Sequence, residues 1–251
     1  MKKIIAIGCI LLFSLFSATA VLADEVEDTL AGLANEQVMT STRQMIQNGI
    51  NSDDAIGMTK MMLQKEFSSQ QTLQAQEMLM EAVQSGLPAE SLMNKVNEGM
   101  AKKIQSGPLL KAMGKVQARY SFAYNHARQL AKEPEEISEL GDLMADSLAA
   151  GFEREDMEPI MDRLMTRTME RKGVEDDGLA TEVCTTLRDM ARLGVSSDAI
   201  TDVVSEALSQ NYTAQEMEAL RETFMNAAKK GSPEDMAKTY ATKMRQSESP
   251  E

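Results

Sequence analysis

"GVSSDAITDVVSEALSQNYTAQEM", Gly194 to Met217, contains one structural unit with both of its ends. Gly194 has no Cβ and suits the left-handed residue that closes a helix. Val195 and Ile200 flank the cap-forming Ser196 as a hydrophobic staple would, and Asp198 falls in a first turn, where the helix dipole favours an acid. Seventeen residues after Gly194, Asn211 repeats its role, with Tyr212 and Met217 as the next staple. Thr213 with Glu216 reads as a capping box. The stretch predicts a helix, a tight connection and the start of a second helix.

The same grammar recurs at Gly32, Gly49, Gly86, Gly151 and Gly173, and more loosely at Gly231. Leu87 with Leu92 and Phe152 with Met157 repeat the staple, and Ser68 with Gln71 repeats the capping box. Spacing extends the pattern to positions without glycine. Steps of 17 from Gly49 and Gly86 reach Glu66 and Lys103, while Gly49 to Gly86 and Gly194 to Gly231 are both 37. Period-two alternation is absent, and Met, Ala, Glu, Leu, Gln and Lys dominate, all good helix formers. These features predict an all-α fold of about eleven helices. They would form antiparallel αα-hairpins with a period of about 37 residues, as an α-solenoid-like array or a compact helical bundle. One repeat domain is expected over 24–246, with a disordered tail at 247–251.

One segment breaks the rhythm. The step from Lys103 to a loop at Ala131 is 28 residues, 11 more than the usual 17. Eleven residues are close to three helical turns, so the extension keeps its face in phase and predicts one over-long helix near 107–131. Leu109, Met113, Val116, Tyr120, Ala123, Tyr124, Ala127 and Leu130 form its apolar seam. Phe122 lies roughly 160° away from the two tyrosines, on the side that carries Lys115, Arg119 and His126.

Between Gly99 and Lys132 there are seven basic residues and no acid, whereas the full chain carries 26 basic against 39 acidic residues. The basic helix could simply complement acidic helices around Glu133–Asp146 or Glu153–Asp162. It could equally offer Lys115, Arg119, Phe122 and His126 to an anionic ligand or an acidic partner segment.

The first residues read "MKKIIAIGCILLFSLFSATAVLA": two lysines, a short apolar run and small residues before Asp24. This is the pattern of a signal peptide cleaved near Ala23, with the product periplasmic or secreted. Cys9 lies inside the apolar run rather than at its end, which disfavours lipid attachment. No later segment is apolar for long enough to span a bilayer. Processing would leave a net charge of −15, which disfavours nucleic acid as a partner. Cys184 would be the one remaining thiol, so no intramolecular disulfide can form.

His126 and Cys184 form no catalytic motif, and there is no phosphate loop or His/Cys ligand spacing. No catalytic residue, cofactor or metal ligand is assigned. Methionine is abundant, with Met157, Met161, Met165 and Met169 at four-residue intervals and Met58, Met61 and Met62 close together. Met can fill a core that is poor in aromatics, or its thioether can ligate Cu(I). The sequence thus points to an exported, non-enzymatic interaction module for a protein or peptide of the cell envelope. A methionine-rich copper binder and a binder of a small anionic ligand are the alternatives.

Overall fold

The computed structural model describes residues 25–170 and 178–247, except for the side chains at 168–170 and 247. The proposed signal segment, Gly173 and the tail lie outside them, apart from Ser247, which ends the last helix. Among the described residues there are twelve helices and no strand. They are α1 (25–30), α2 (Glu36–Gln47), α3 (Ser52–Gln64), α4 (Ser69–Gln84), α5 (Ala89–Ala101) and α6 (Ser106–Leu130). Then come α7 (Pro134–Ala149), α8 (Arg154–Glu170), α9 (Leu179–Arg192), α10 (Ser197–Ser209), α11 (Ala214–Ala228) and α12 (Pro233–Ser247). The helix beyond the expected eleven is the short α1.

The caps explain where these helices stop. At Gly49 the amide donates to the Ile46 carbonyl, and the next amide, Ile50, reaches back to Met45. This pair of bonds satisfies carbonyls that the helix leaves open at its end. It recurs at Glu66, Gly86, Lys103, Gly151, Gly194 and Asn211, each with positive φ. Glu66, Lys103 and Asn211 adopt this conformation although they carry a Cβ. Gly231 does not adopt it, which corrects its reading as a copy of the motif. Both capping boxes are formed, Ser68 with Gln71 and Thr213 with Glu216.

The chain divides into two compact units, one reaching Ala118 and the other starting at Arg119, so the boundary falls inside α6. In the first unit α2 packs on α3 and α4, and α5 packs on α3 and α4. In the second, α9 lies between α7 and α11, and α10 packs on α8, α9 and α12. Each helix therefore meets its neighbour but one, and side-chain bonds cross at about the repeat length. Gln84 donates to Asn48 and Gln117 to Glu81, each 36 residues away. In the second unit Ser196 donates through its backbone N–H and its hydroxyl to Glu234, and Arg221 pairs with Glu182.

The cores are aliphatic and methionine-rich, with Leu30, Met45, Met62, Leu79, Leu92, Met157, Ile160, Met161 and Phe224 among the fully buried side chains. One polar group interrupts the first. Thr42, Thr59 and Gln76 stand 17 residues apart on α2, α3 and α4, and all three are fully buried. Gln76 Nε2 donates to Thr42 Oγ1 at 2.9 Å and to Thr59 Oγ1 at 2.8 Å. The two hydroxyls donate to the carbonyls of Val38 and Ala55.

Candidate functional site

Helix α6 is 25 residues long, and every residue of its expected seam is buried. In the second unit the seam packs against α7. Gly141 has no side chain at the point where Tyr124 arrives, and a Cβ there would collide with the ring. Tyr124 Oη donates to Asp142 Oδ1 at 3.0 Å. Burial, with the Asp142 carboxylate beside it, pushes the phenol up to about 12. The neighbouring Tyr120 ring lies 6.1 Å away, tilted by 42°. These contacts hold the rotation of α6 about its axis, and Arg119, Phe122 and His126 are turned away from the seam.

Phe122 is half-buried rather than bare. The guanidinium of Arg154, the first residue of α8, lies 5.2 Å from its ring centroid. Phe122 also meets His126 edge to face, with centroids 4.6 Å apart. Arg119 and His126 are also half-buried, and Arg119 lies 5.9 Å from the Tyr120 ring. Two polar atoms of this group, Arg119 Nε and His126 Nδ1, are buried without a hydrogen-bond partner. Among the described residues, neither Arg119 nor Arg154 forms an ion pair. The second unit thus brings together three of the four expected residues. Lys115, one turn earlier on α6, is exposed and belongs to the first unit.

Arg154 is the residue that sequence reading missed, although a signal was present. It stands in "GFEREDM", between Glu153 and Glu155, at the first position of a helix. The dipole disfavours a cation there. A residue that breaks a local rule often serves a tertiary contact or a function. Of the two acidic helices that could complement α6, α7 turns Asp142 to the Tyr124 hydroxyl, while α8 sets a further cation beside Phe122.

Chemically, the group offers two guanidinium ions, an aromatic face and an imidazole. Arginine forks suit carboxylates, and the ring provides apolar contact for the carbon chain that carries one. Cys184 is no part of it: the thiol is fully buried in α9, and burial pushes it up to about 12. The methionines of α8 divide between core and edge. Met157 and Met161 are fully buried and Met165 is half-buried, while the Met169 side chain lies outside the described residues.

No helix among the described residues is long and apolar enough to cross a membrane. The fold and site define an all-α protein built on repeating hairpins, with a cationic-aromatic group on its longest helix. Compared with protein-family models, curated proteins and solved structures, the chain matches none.

Proposed function

We propose that the protein is an exported, non-enzymatic α-helical interaction module of the periplasm or cell envelope. It captures an acidic peptide segment of a partner protein at Arg119, Phe122, His126 and Arg154. The observation that supports this reading is the Arg154 guanidinium held over Phe122 without an ion pair among the described residues, with Arg119 Nε and His126 Nδ1 unpartnered on the same helix as that ring. Leaving a buried polar group without a partner costs about 1–3 kcal/mol, which a bound carboxylate would relieve at Arg119. In a chain with 39 acidic residues, two arginines without carboxylate partners also supply the local charge that draws an acidic segment to this face.

The test uses the chain from Asp24 onward as bait in envelope extract, with a chemical cross-linker. Arg119→Ala combined with Arg154→Ala should abolish capture of a specific band while the melting temperature stays within a few degrees. A double variant that keeps every partner removes the site. Export is checked separately: the purified native protein should begin at Asp24 and appear in the extracytoplasmic fraction. An intact N-terminus in the cytoplasm would refute that part.

A further inference from the structure

The first unit contains a second feature, independent of the peptide-binding reading. A cavity of about 360 Å³ is lined by α3 and α5. Three methionines are among the residues that line it, Met58 and Met61 from α3 and Met93 from α5, together with the amides Asn94 and Asn97. Met58 and Met61 are three residues apart and so share a helix face. Met61 is one of the few large apolar side chains left exposed, at 37 %.

Gly57 lines the same cavity from the middle of α3. A glycine inside a helix costs about 1 kcal/mol relative to alanine. Close packing does not require it here, because a Cβ would meet nothing within 4 Å. Its missing side chain leaves open space in the wall of the cavity. Asp53, Asp54 and Glu90 stand at the rim, and no lysine, arginine, histidine or cysteine is among the lining residues.

The donor set selects the ligand. Thioethers are neutral, soft and unprotonated at any working pH. They bind Cu(I) in preference to Zn²⁺, Mg²⁺ or Ca²⁺, which take nitrogen, thiolate or oxygen ligands. The rim acids are not grouped for coordination: among the described residues no three of His, Cys, Asp and Glu could hold a metal ion. Their charge raises the local concentration of a cation without competing with sulphur for it. We propose that Met58, Met61 and Met93 hold one Cu(I) ion in the α3–α5 cavity.

The experiment titrates the purified chain from Asp24 onward with Cu(I), under anaerobic reducing conditions and against the chelator bicinchoninate. One equivalent should bind at micromolar affinity or tighter. Met61→Leu with Met93→Leu, which conserves volume, should weaken binding at least tenfold. Met157→Leu with Met161→Leu, in the second unit, should leave it unchanged. X-ray absorption of the wild-type complex should show a first shell of sulphur alone, a readout that stands even if a variant fails to fold. Binding weaker than micromolar, affinity insensitive to the Met61/Met93 pair, or a nitrogen or oxygen shell would each overturn the assignment. Equal affinity for Zn²⁺ would do the same.

Discussion

Gln76 is a primary amide without access to solvent, and both of its N–H groups are occupied by threonine oxygens. Those threonines direct their own protons to backbone carbonyls, so the 3.3 Å approach of Thr42 to Thr59 has no proton left to share. Gln76 Oε1 has no partner. The group should therefore be sensitive to partial removal and tolerant of complete removal. Thr42→Val alone strands an amide N–H and should cost about 1–3 kcal/mol. The triple change Thr42→Val, Thr59→Val and Gln76→Leu should cost less than the single one, because no polar side chain remains unpaired. Urea unfolding of the two proteins decides this, and a triple variant weaker than the single one would contradict the proton assignment.

At the scale of the helix, the connections were legible in sequence because each is written within about six residues. Spacing alone located Glu66 and Lys103 as loop positions, and both adopt positive φ. Side chains other than glycine lose roughly 1–2 kcal/mol in that region. Glu66→Gly and Lys103→Gly should each raise stability by about 0.5–1 kcal/mol, after allowing for the extra freedom of an unfolded glycine. Gly194→Ala should lower it by about 1 kcal/mol, and urea midpoints measure all three. What local pattern could not give was the partner of a face. Phe122 and Arg154 are 32 residues apart, on α6 and α8, and their meeting depends on packing rather than on any motif. The α10–α12 junction is a similar case. Glu234 accepts the Ser196 N–H, then Lys238 and the Ser196 hydroxyl, and these hold its carboxyl down to about 2. A depressed carboxylate stabilises the fold above its ordinary value of 4.5, and that contribution is lost as pH falls towards about 2. Glu234→Gln should remove this part of the acid response, so its stability deficit against wild type should shrink between about pH 5 and about pH 2.

The two units should differ in their response to alkali. Every tyrosine, and Cys184, lies beyond residue 118. Burial raises Tyr124 from 10.0 and Cys184 from 9.0, each to about 12. Raised values mean that the fold holds the neutral forms. Their stabilising contribution is full below the unfolded values and falls as pH climbs through them towards about 12. Hydrogen exchange near pH 10 should therefore show protection lost first in α7 to α12, and uniform loss across both units would contradict this. The repeats raise a further question of assembly, since hairpins of one period could exchange between copies of the chain. Ten residues beyond Gly86, Lys103, Gly151 and Gly194 stand Val96, Met113, Met161 and Val204, all buried and apolar, and ten beyond Asn211 stands Arg221, where α2, α3 and α4 place Thr42, Thr59 and Gln76. A hairpin seated one repeat out of place would press the Gln76 amide against valine or methionine. The buried amide then acts as an identity mark, which allows the first hairpins to be told from their near-copies before the chain closes on the wrong neighbour.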